Sequence, residues 1–502
     1  MTRLRGGLLV CGTASDAGKS FVVAGLCRLL ARQGVAVAPF KAQNMALNAA
    51  VTGDGREIGH AQWVQALAAG VEPEAAMNPV LLKPTGERTS QVVVLGRPAG
   101  ELTTGDYHRA KRDLLPVVLD ALAGLRARYD VVVCEGAGSP AEINLLAHDI
   151  VNLPLADAAG LPALVVGDID RGGVFASLYG TVALLPDHLR RRVAGFVVNK
   201  LRGDPALLDG AFAELERRCG VPTLGVLPHL RGVDIDAEDS LALDRADAEP
   251  APGPDGDTGD VLDVVGLRWP RVSNAGDLDP FRVEPGVRVR WVRSAADLGR
   301  PDLVVLPGSK ATRDDLAWFR RSGLADAVER CGAAVVAVCA GLQMAGGLVD
   351  DPGGVEGPPG VDKGLGWLPV ATTFEAGKVL DRPAGRAVAG PGAGQRVAGY
   401  RIHHGRVEAE RHATPWLVDD GGGPLGWHDG RMAGTTLHGL FEDDGFRAGV
   451  LRWAAGRAGK RWQPGGVGFA AARQRRLDRM ADLIEHHLDV DRLTAIIARG
   501  AP

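Results

Sequence analysis

The chain has 502 residues, which is too long for a single hydrophobic core, so its length predicts two or more domains. Hydrophobic residues make up 46% of the chain and charged residues 24%, as is ordinary for a globular protein. The net charge of −4 gives no reason to expect a nucleic-acid partner, and the 6 scattered cysteines indicate neither a disulfide framework nor a zinc site.

No stretch of the sequence has the features of a targeting or membrane-spanning segment. The first 12 residues contain two arginines and a short apolar run, whereas a signal peptide needs a longer apolar region and a cleavage site. No apolar run is long enough to cross a bilayer. By exclusion, we expect a cytoplasmic protein without a membrane partner.

A glycine-rich turn between two apolar patterns is the first strong signal in the chain. Residues 8–11 predict a short buried strand, and residues 21–32 predict a helix. The turn between them ends in Gly-Lys-Ser, and such a turn directs backbone N–H groups and a helix N-terminus towards a phosphate group. We therefore assign ATP binding to Gly12, Thr13, Asp16, Ala17, Gly18, Lys19 and Ser20.

Within this turn, Lys19 is expected to reach the outer phosphates and the Ser20 hydroxyl to hold Mg²⁺. The alternative is a strand-to-helix turn that merely needs glycine, but strand, loop, Lys-Ser and helix occur in the order that phosphate binding requires. The spacing is one residue longer than the common G-x-x-x-x-G-K-[ST] form. In this respect the turn resembles the phosphate loop of the dethiobiotin synthetase group of ATP-using ligases.

Further polar side chains follow apolar runs, where the parallel strands of an open α/β sheet present ligand-binding groups. Lys41 is a candidate for binding a carboxylate or a phosphate, although a solvated strand end is the default for this lysine taken alone. Glu135 ends a β-branched run and would give a metal-bound ATP its acidic partner, the alternative being an ordinary loop residue. Asp54 is a second candidate Mg²⁺ partner, and Asn199 is a candidate for reading the adenine.

Strands of this kind alternate with helices over about 230 residues, which predicts a doubly wound parallel sheet. This half resembles the synthetase domain of the cobyric acid synthase family, the glutamine-hydrolysing enzymes of cobalamin biosynthesis. The resemblance is carried by residues 39–48, 77–84, 135–145, 168–180 and 238–241. It implies a P-loop, dethiobiotin-synthetase-like domain that uses ATP and Mg²⁺. It also implies corrinoid or carboxylate contacts by Lys41, Gln43, Asn44 and Lys83.

The second half begins after a stretch rich in Asp, Pro, Gly and Ala at residues 246–260, which predicts a flexible linker. A strand pattern then leads into Cys339, small residues and a helix, which is the sulfur form of a nucleophile elbow. His438 ends a short apolar strand downstream, and a Cys–His pair is the minimum machinery for acyl-thioester chemistry. The alternative is a buried structural cysteine. Glu442 is a candidate for orienting His438, at a spacing unusual for that role.

This half resembles the class I glutamine amidotransferases of the cobyric acid synthase type. The resemblance implies an α/β domain in which Cys339 is the nucleophile and His438 the base. It further implies that Gly308 and the N–H of Ala340 form the oxyanion region and that Gln343 binds glutamine. Departures from the family pattern in the two halves are Arg56, His60, Leu146, Ala337, Ala340 and Arg401. We predict that His403 and His404 are strand-end residues rather than metal ligands.

These signals divide the chain into a synthetase domain at 1–245, the linker, an amidotransferase domain at 261–450 and a helical tail at 451–502. Apolar residues recur at helical spacing over 473–497, which predicts a packed helix, and a nucleic-acid role for its arginines is the weaker alternative. The sequence allows a homo-oligomer but does not indicate one.

Together the resemblances imply an ATP- and glutamine-dependent ligase. It would amidate peripheral carboxylates of adenosylcobyrinic acid a,c-diamide to give cobyric acid, with ammonia from L-glutamine and the carboxylate activated as an acyl phosphate. One alternative is a related amidoligase acting on another polycarboxylate, such as cobyrinic acid a,c-diamide synthase. Another is a nucleotide-switched binding protein with an inactive glutaminase domain.

Overall fold

The computed structural model describes residues 4–86, 89–230 and 260–500. The described residues within Met1–Ala46, Arg56–Ile235 and Arg473–Pro502 form one unit, and those within Leu47–Gly55 and Asp236–Ala472 form a second. The predicted linker lies outside the described residues except for Asp260, as does the motif at 238–241.

The elements have the following bounds. The strands are β1 (Gly6–Gly12), β2 (Val37–Phe40), β3 (Gln43–Met45), β4 (Ala49–Val51), β5 (Glu57–Gly59), β6 (Val80–Pro84), β7 (Thr89–Val94), β8 (Arg97–Thr103), β9 (Val131–Glu135), β10 (Ala163–Asp168), β11 (Val193–Leu201), β12 (Thr223–Pro228), β13 (Leu262–Leu267), β14 (Val272–Ser273), β15 (Val287–Val292), β16 (Leu303–Leu306), β17 (Gly308–Ser309), β18 (Ala334–Val338), β19 (Leu348–Asp351), β20 (Gly360–Lys363), β21 (Val370–Asp381), β22 (Ala384–Ala387), β23 (Arg396–Ala398), β24 (Arg401–Ala409), β25 (Thr414–Asp419), β26 (Pro424–Asp429) and β27 (Met432–Thr435). The helices are α1 (Lys19–Arg32), α2 (His60–Ala69), α3 (Thr104–Arg128), α4 (Leu153–Ala158), α5 (Val174–Ala183), α6 (Asp187–Arg190), α7 (Asp209–Cys219), α8 (Ala295–Leu298), α9 (Thr312–Arg321), α10 (Leu324–Cys331), α11 (Ala340–Ala345), α12 (Asp444–Arg457), α13 (Phe469–His487) and α14 (Val490–Arg499). In the part of the chain that the structure describes, no helix is long and apolar enough to span a membrane.

The central sheet of the first unit is parallel throughout its described strands, which run in the order β12-β11-β10-β1-β9-β2. Every residue of β1 and β9 is buried, as expected for a parallel sheet that is covered on both faces. The register places Leu9 of β1 opposite Cys134 of β9, so both strands deliver their last residues to one edge of the sheet. This confirms the predicted doubly wound α/β fold.

The two C-terminal helices complete the core of this first unit. Met480 and Ile484 of α13 are buried in the same hydrophobic cluster as the inner faces of β1 and α1. Helix α1 needs glycine at Gly25, because a Cβ there would lie 2.8 Å from Cγ1 of Ile484. Most of the predicted tail at 451–502 therefore belongs to the nucleotide-binding unit, and α12 runs across the predicted boundary after residue 450.

The main sheet of the second unit has, among its described strands, the order β15-β13-β16-β18-β27-β26-β25-β22-β23. The first five are parallel, and the last four extend the sheet antiparallel from β27. Val304 and Leu306 of β16 enter one hydrophobic cluster, whereas Leu303 and Val305 enter another, so both faces are covered. Strand β18 lies near the middle of this sheet and presents its carboxyl end to the site described next.

Candidate active sites

Cys339 occupies a sharp turn between a buried strand and a helix of the second unit. Strand β18 ends one residue before it, and helix α11 begins one residue after it. Its backbone has φ 54° and ψ −110°, a conformation that costs roughly 1–3 kcal/mol in a non-glycine residue. The turn is tight, because a Cβ on Gly341 would lie 2.2 Å from the carbonyl oxygen of Leu306. The structure therefore has the strained elbow that the sequence predicts, with Cys339 only 5% exposed.

His438 lies close enough to Cys339 for the sulfur to act on its charge, and its imidazole is held by a carboxylate. Nδ1 of His438 lies 2.7 Å from Oδ2 of Asp277, and Oδ1 of Asp277 accepts a hydrogen bond from the backbone N–H of Gly439 at 2.8 Å. An ionised carboxylate only accepts, so Nδ1 carries the proton and Nε2 is left for the sulfur. Cys339, His438 and Asp277 thus form a buried triad.

The charges of this triad act on the protonation of the imidazole. Burial would lower the pKa of His438, but the Asp277 carboxylate and the Cys339 sulfur overcome that effect and raise the pKa to about 10. The imidazolium lies beside the sulfur of Cys339, and the nucleophilic form of a cysteine is the thiolate. The imidazolium also holds a proton that a departing amine can take up.

Tyr400 supports the imidazole from its face. The two rings stack with 5.5 Å between centroids, and the backbones of Tyr400 and His438 exchange two N–H···O bonds of 3.0 Å and 2.9 Å. The side-chain amide of Asn274 donates a hydrogen bond to the Tyr400 hydroxyl at 2.9 Å. The imidazole is therefore fixed by a carboxylate, a ring and its own backbone.

Asp277 is the triad member that the sequence did not reveal. It lies in the 3-10 helix Ala275–Val283, 161 residues before His438, within no recognisable motif. Glu442 was one candidate for this role, but in the structure the carboxylate bonded to Nδ1 of His438 is that of Asp277. Only the fold brings Asp277 to the histidine, and a lone Asp after Ala-Gly carries no signal that would have identified it.

The predicted oxyanion and glutamine-binding residues surround the same elbow. A Cβ on Gly308 would lie 3.0 Å from Cε1 of His438, and Ala340 directly follows Cys339 at the start of α11. Gln343 is buried, and its Oε1 accepts a hydrogen bond from the Thr312 hydroxyl at 3.2 Å. Its Nε2 is buried and has no protein partner in the described residues. The two N–H groups of the Gln343 side-chain amide can therefore donate hydrogen bonds to a ligand.

His403 and His404, which follow Ile402 on β24, make backbone contacts in the structure. Nδ1 of His403 is 2.7 Å from the carbonyl oxygen of Gly405, and Nδ1 of His404 is 3.1 Å from that of Glu375. Burial lowers the pKa of His403 to about 4, so this imidazole is neutral, and its buried Nε2 has no protein partner in the described residues. The departure at Arg401 is matched locally, because its guanidinium donates to the Asp381 carboxylate at 2.8 Å.

The glycine-rich turn of the first unit has the geometry of a phosphate loop. Strand β1 ends at Gly12 and helix α1 begins at Lys19, as predicted. Gly18 has φ 101°, and a Cβ there would lie 2.0 Å from Nδ2 of Asn199. That same Nδ2 donates to the carbonyl oxygen of Ala17 at 3.0 Å. Asn199 therefore braces the loop, and its role in reading the adenine stays a prediction.

Lys19 and Ser20 contact neighbouring groups of this unit. Nζ of Lys19 donates to the carbonyl oxygens of Ala14 at 2.9 Å and Gly138 at 3.2 Å. The Ser20 hydroxyl donates to Oε1 of Glu135 at 2.8 Å. The structure thus brings together two of the three predicted metal ligands, and their hydroxyl and carboxylate oxygens are the hard donors that Mg²⁺ prefers.

The third predicted ligand, Asp54, is not part of this group. It belongs to the second unit, is exposed, and accepts a hydrogen bond from the Thr52 hydroxyl at 2.5 Å. The prediction rested on its place in a glycine-rich loop, and the sequence did not show that this loop leaves the nucleotide-binding unit.

The residues predicted to contact a corrinoid carboxylate are buried and paired in the structure. Lys41 is 2.8 Å from Oε1 of Glu135, and Lys83 is 2.6 Å from Oε1 of Glu57. Asn44 donates to the side-chain oxygen of buried Gln62 at 3.0 Å, and Gln43 is 9% exposed. Lys41 is therefore not a solvated strand end, and both lysine charges are compensated by protein carboxylates.

Comparisons with known proteins match both halves of the chain. Residues 8–242 match the model of the CobQ/CobB/MinD/ParA nucleotide binding domain, and residues 263–446 match the CobB/CobQ-like glutamine amidotransferase domain. The chain is 51% identical to a cobyric acid synthase of Frankia casuarinae and 51% identical to one of Streptomyces coelicolor, in each case over 99% of this chain and 98% of the relative. A cobyric acid synthase of Mycolicibacterium paratuberculosis is 49% identical over the same shares.

The fold and the two sites define a nucleotide-binding domain joined to a glutamine amidotransferase domain in one chain. About half of the residues are identical to those of several cobyric acid synthases over nearly the whole chain, which identifies the family within this class. The chain belongs to the cobyric acid synthase family.

Proposed function

We propose that this chain uses ATP and L-glutamine to amidate peripheral carboxylates of adenosylcobyrinic acid a,c-diamide, giving cobyric acid. Family membership supports the substrate class, and the Cys339–His438–Asp277 triad is the observation that carries the glutamine-dependent half of the reaction. Cytoplasmic location, the absence of a nucleic-acid partner and a homo-oligomeric state remain predictions.

In the second unit, the thiolate of Cys339 attacks the side-chain amide carbon of glutamine. The backbone N–H of Ala340 and the Gly308 region stabilise the oxyanion, and Nε2 of His438 gives its proton to the departing ammonia. Asp277 keeps the other ring nitrogen protonated and the imidazole in place. Water then attacks the thioester carbon and releases glutamate. The free Nε2 of Gln343 supplies a hydrogen-bond donor for the bound glutamine.

In the first unit, the backbone of the glycine-rich loop and Lys19 bind the phosphates of the substrate ATP. Lys19 does so by exchanging the carbonyl oxygens of Ala14 and Gly138 for phosphate oxygens. The corrinoid carboxylate attacks the γ-phosphorus, so that ADP leaves and an acyl phosphate forms. Ammonia then attacks the acyl carbon and phosphate leaves.

Ser20 and Glu135 are the residues that would hold Mg²⁺ here, since their oxygens already meet at 2.8 Å. The ion would supply neutralisation of phosphate charge. Lys41 and Gln65 orient the Glu135 carboxylate, with hydrogen bonds of 2.8 Å and 2.5 Å to its two oxygens.

A direct test is mass spectrometry of a corrinoid acid incubated with the enzyme, ATP and glutamine. The proposal predicts mass shifts that correspond to added amide groups and that require ATP. Faster turnover of cobyrinic acid than of its a,c-diamide would point instead to the earlier amidoligase. Nucleotide-dependent assembly without any amidated product would contradict both assignments.

A further inference from the structure

One short segment of the chain leaves the nucleotide-binding unit and returns to it. The chain passes out of the first unit after Ala46, and Leu47–Gly55 belongs to the second unit. Strand β3, which carries Gln43 and Asn44, ends two residues before this segment, and the first unit resumes at Arg56. The excursion is therefore tied at both ends to the part of the chain that carries the predicted corrinoid-binding residues.

Inside the second unit, this segment forms buried hydrogen bonds with Asn274 and Ala275. The amide of Asn274 accepts a hydrogen bond from the N–H of Ala49 at 3.3 Å and donates to the carbonyl oxygen of Ala49 at 3.0 Å. The next residue, Ala275, donates its N–H to Oδ1 of Asn48 at 3.3 Å. Asn274, Asn48 and Ala49 are 5%, 5% and 0% exposed, so these bonds are made away from water and are costly to leave unpaired.

Asn274 is also linked to the imidazole of His438 through two of its neighbours, Asp277 and Tyr400. It directly precedes the 3-10 helix that carries Asp277, and its carbonyl oxygen accepts the N–H of Asp277 at 3.1 Å. Its side-chain amide donates to the hydroxyl of Tyr400, whose ring stacks on His438. A shift of Asn274 would therefore move both Asp277 and Tyr400, the two residues that hold the imidazole of His438.

We propose that Asn274 is a positioning residue that couples glutamine hydrolysis to occupation of the corrinoid- and ATP-binding site through the segment Leu47–Gly55. Substrates bound beside β3 fix the segment in the position where Ala49 pairs with Asn274. Asn274 then holds Tyr400 and the helix of Asp277 in the arrangement that orients His438. When the segment is displaced, the amide loses its partners, the triad is less well aligned and glutamine is spared.

This inference rests on the proposed function. It concerns the stimulation ratio, which is the rate of glutamate release with ATP and corrinoid acid divided by the rate without them. Glutamate release is expected to rise when ATP and the corrinoid acid are added, by a factor within the range of about 5- to 150-fold that is typical of coupled sites. Asn274→Gly removes every side-chain bond of this residue, and glycine accepts its left-handed backbone conformation of φ 54° without strain. Asn274→Asp keeps the size and one acceptor but loses the donors to Ala49 and Tyr400.

The experiment measures glutamate release by the full chain with and without ATP and corrinoid acid, and amide formation from added ammonium. Both Asn274 variants should show a stimulation ratio that falls to about 1, while ammonium-supported synthesis stays at the wild-type rate. Thr52→Ala is the control within the same segment, because Thr52 bonds to Asp54 rather than to Asn274, and it should keep the wild-type ratio. Asn48→Ala, which removes the acceptor of the Ala275 N–H but leaves Asn274 in place, should lower the ratio partly.

An unchanged ratio in the variants would overturn the proposal, as would equal losses of hydrolysis with and without the synthetase substrates, because that is the result of a purely structural role. If the Asn274 variants fail to fold, the Asn48→Ala ratio decides alone. If wild-type protein forms no amide even from ammonium, the proposed function fails, whereas amide formation without any stimulation of glutaminase fails only the coupling.

Discussion

The two sites differ in how ready they are for chemistry. In the second unit, His438 is already bonded to Asp277 and interacts with the sulfur of Cys339. In the first unit, Lys19 is bonded to two carbonyl oxygens of its own unit, and Glu135 is occupied by protein donors. The glutaminase site is preassembled, whereas the phosphate site must exchange protein partners for ligand atoms.

This difference follows from what each site has to stabilise. The triad acts on a neutral amide that brings no charge, so the carboxylate of Asp277 pairs with the imidazolium of His438 before any substrate arrives. The phosphate site receives several negative charges with ATP, so its lysines need temporary partners before the ligand arrives.

Removing the sulfur should separate the two sites completely. Cys339→Ala is expected to reduce glutamine-supported amide formation by about 10⁴-fold or more, because no other group can form the thioester. Synthesis from added ammonium should stay near the wild-type rate, as measured by mass spectrometry of the corrinoid product. Cys331→Ala is the matched control, since its thiol donates to the backbone carbonyl oxygen of Val328. Loss of the ammonium-supported reaction in Cys339→Ala would contradict the division of labour.

Removing Lys19 from the glycine-rich loop should nearly abolish amide formation but spare glutamine hydrolysis. Lys19→Ala is expected to lower amide formation from either nitrogen source by about 10³-fold, because the charge on the transferring phosphoryl group loses its partner. Glutamine hydrolysis without the synthetase substrates should persist. Lys363→Ala, at an exposed lysine of the second unit, should leave both activities unchanged. Normal synthesis by Lys19→Ala would refute the phosphate-loop assignment.

Asp277→Asn tests the triad member that only the structure revealed. Glutamine hydrolysis should fall by about 10²-fold, because the amide cannot stabilise the imidazolium of His438. The carboxylate raises the pKa of His438, so its removal lowers that pKa and the imidazolium is lost at lower pH. The alkaline limb of the pH profile of kcat/KM should therefore move to lower pH.

Glu442→Gln is the matched carboxylate-to-amide control for that experiment. It should change glutamine hydrolysis by only a few-fold and leave the pH profile in place, because Nδ1 of His438 is bonded to Asp277. A large loss in Glu442→Gln together with a small loss in Asp277→Asn would reverse the assignment.

A substitution in the core of the first unit should change activity least, because it acts on the free energy of unfolding. Ile484→Ala should lower the free energy of unfolding by about 2–5 kcal/mol, because it removes a fully buried side chain that packs on α1. Urea denaturation followed by circular dichroism measures this. His487→Ala, an exposed position of the same helix, should change stability by less than about 0.5 kcal/mol. Equal effects of the two variants would contradict the packing of α13 in this core.

The sequence predicted those parts of the sites that lie within a short motif. The glycine-rich loop, Cys339 and His438 each follow a strand, and the chemistry of strand ends made them recognisable. The doubly wound sheet was also predictable, because buried parallel strands are continuous apolar runs.

The parts that could not be predicted depend on distant segments. Asp277 reaches His438 from 161 residues away, and the C-terminal helices return to the first unit after the whole second unit. Asn199 braces the loop because Gly18 leaves space for its amide, which no local pattern shows. Lys41 is buried against Glu135, although its position at a strand end suggested exposure.

The most direct test of the account follows one nitrogen atom from the triad to the corrinoid. Enzyme, ATP and corrinoid acid are incubated with glutamine labelled with ¹⁵N in its side-chain amide and with unlabelled ammonium, and the new amides are analysed by mass spectrometry. The account predicts that wild-type product carries ¹⁵N, whereas Cys339→Ala product carries only the unlabelled nitrogen. Wild-type product labelled no more than the bulk ammonium pool would contradict it.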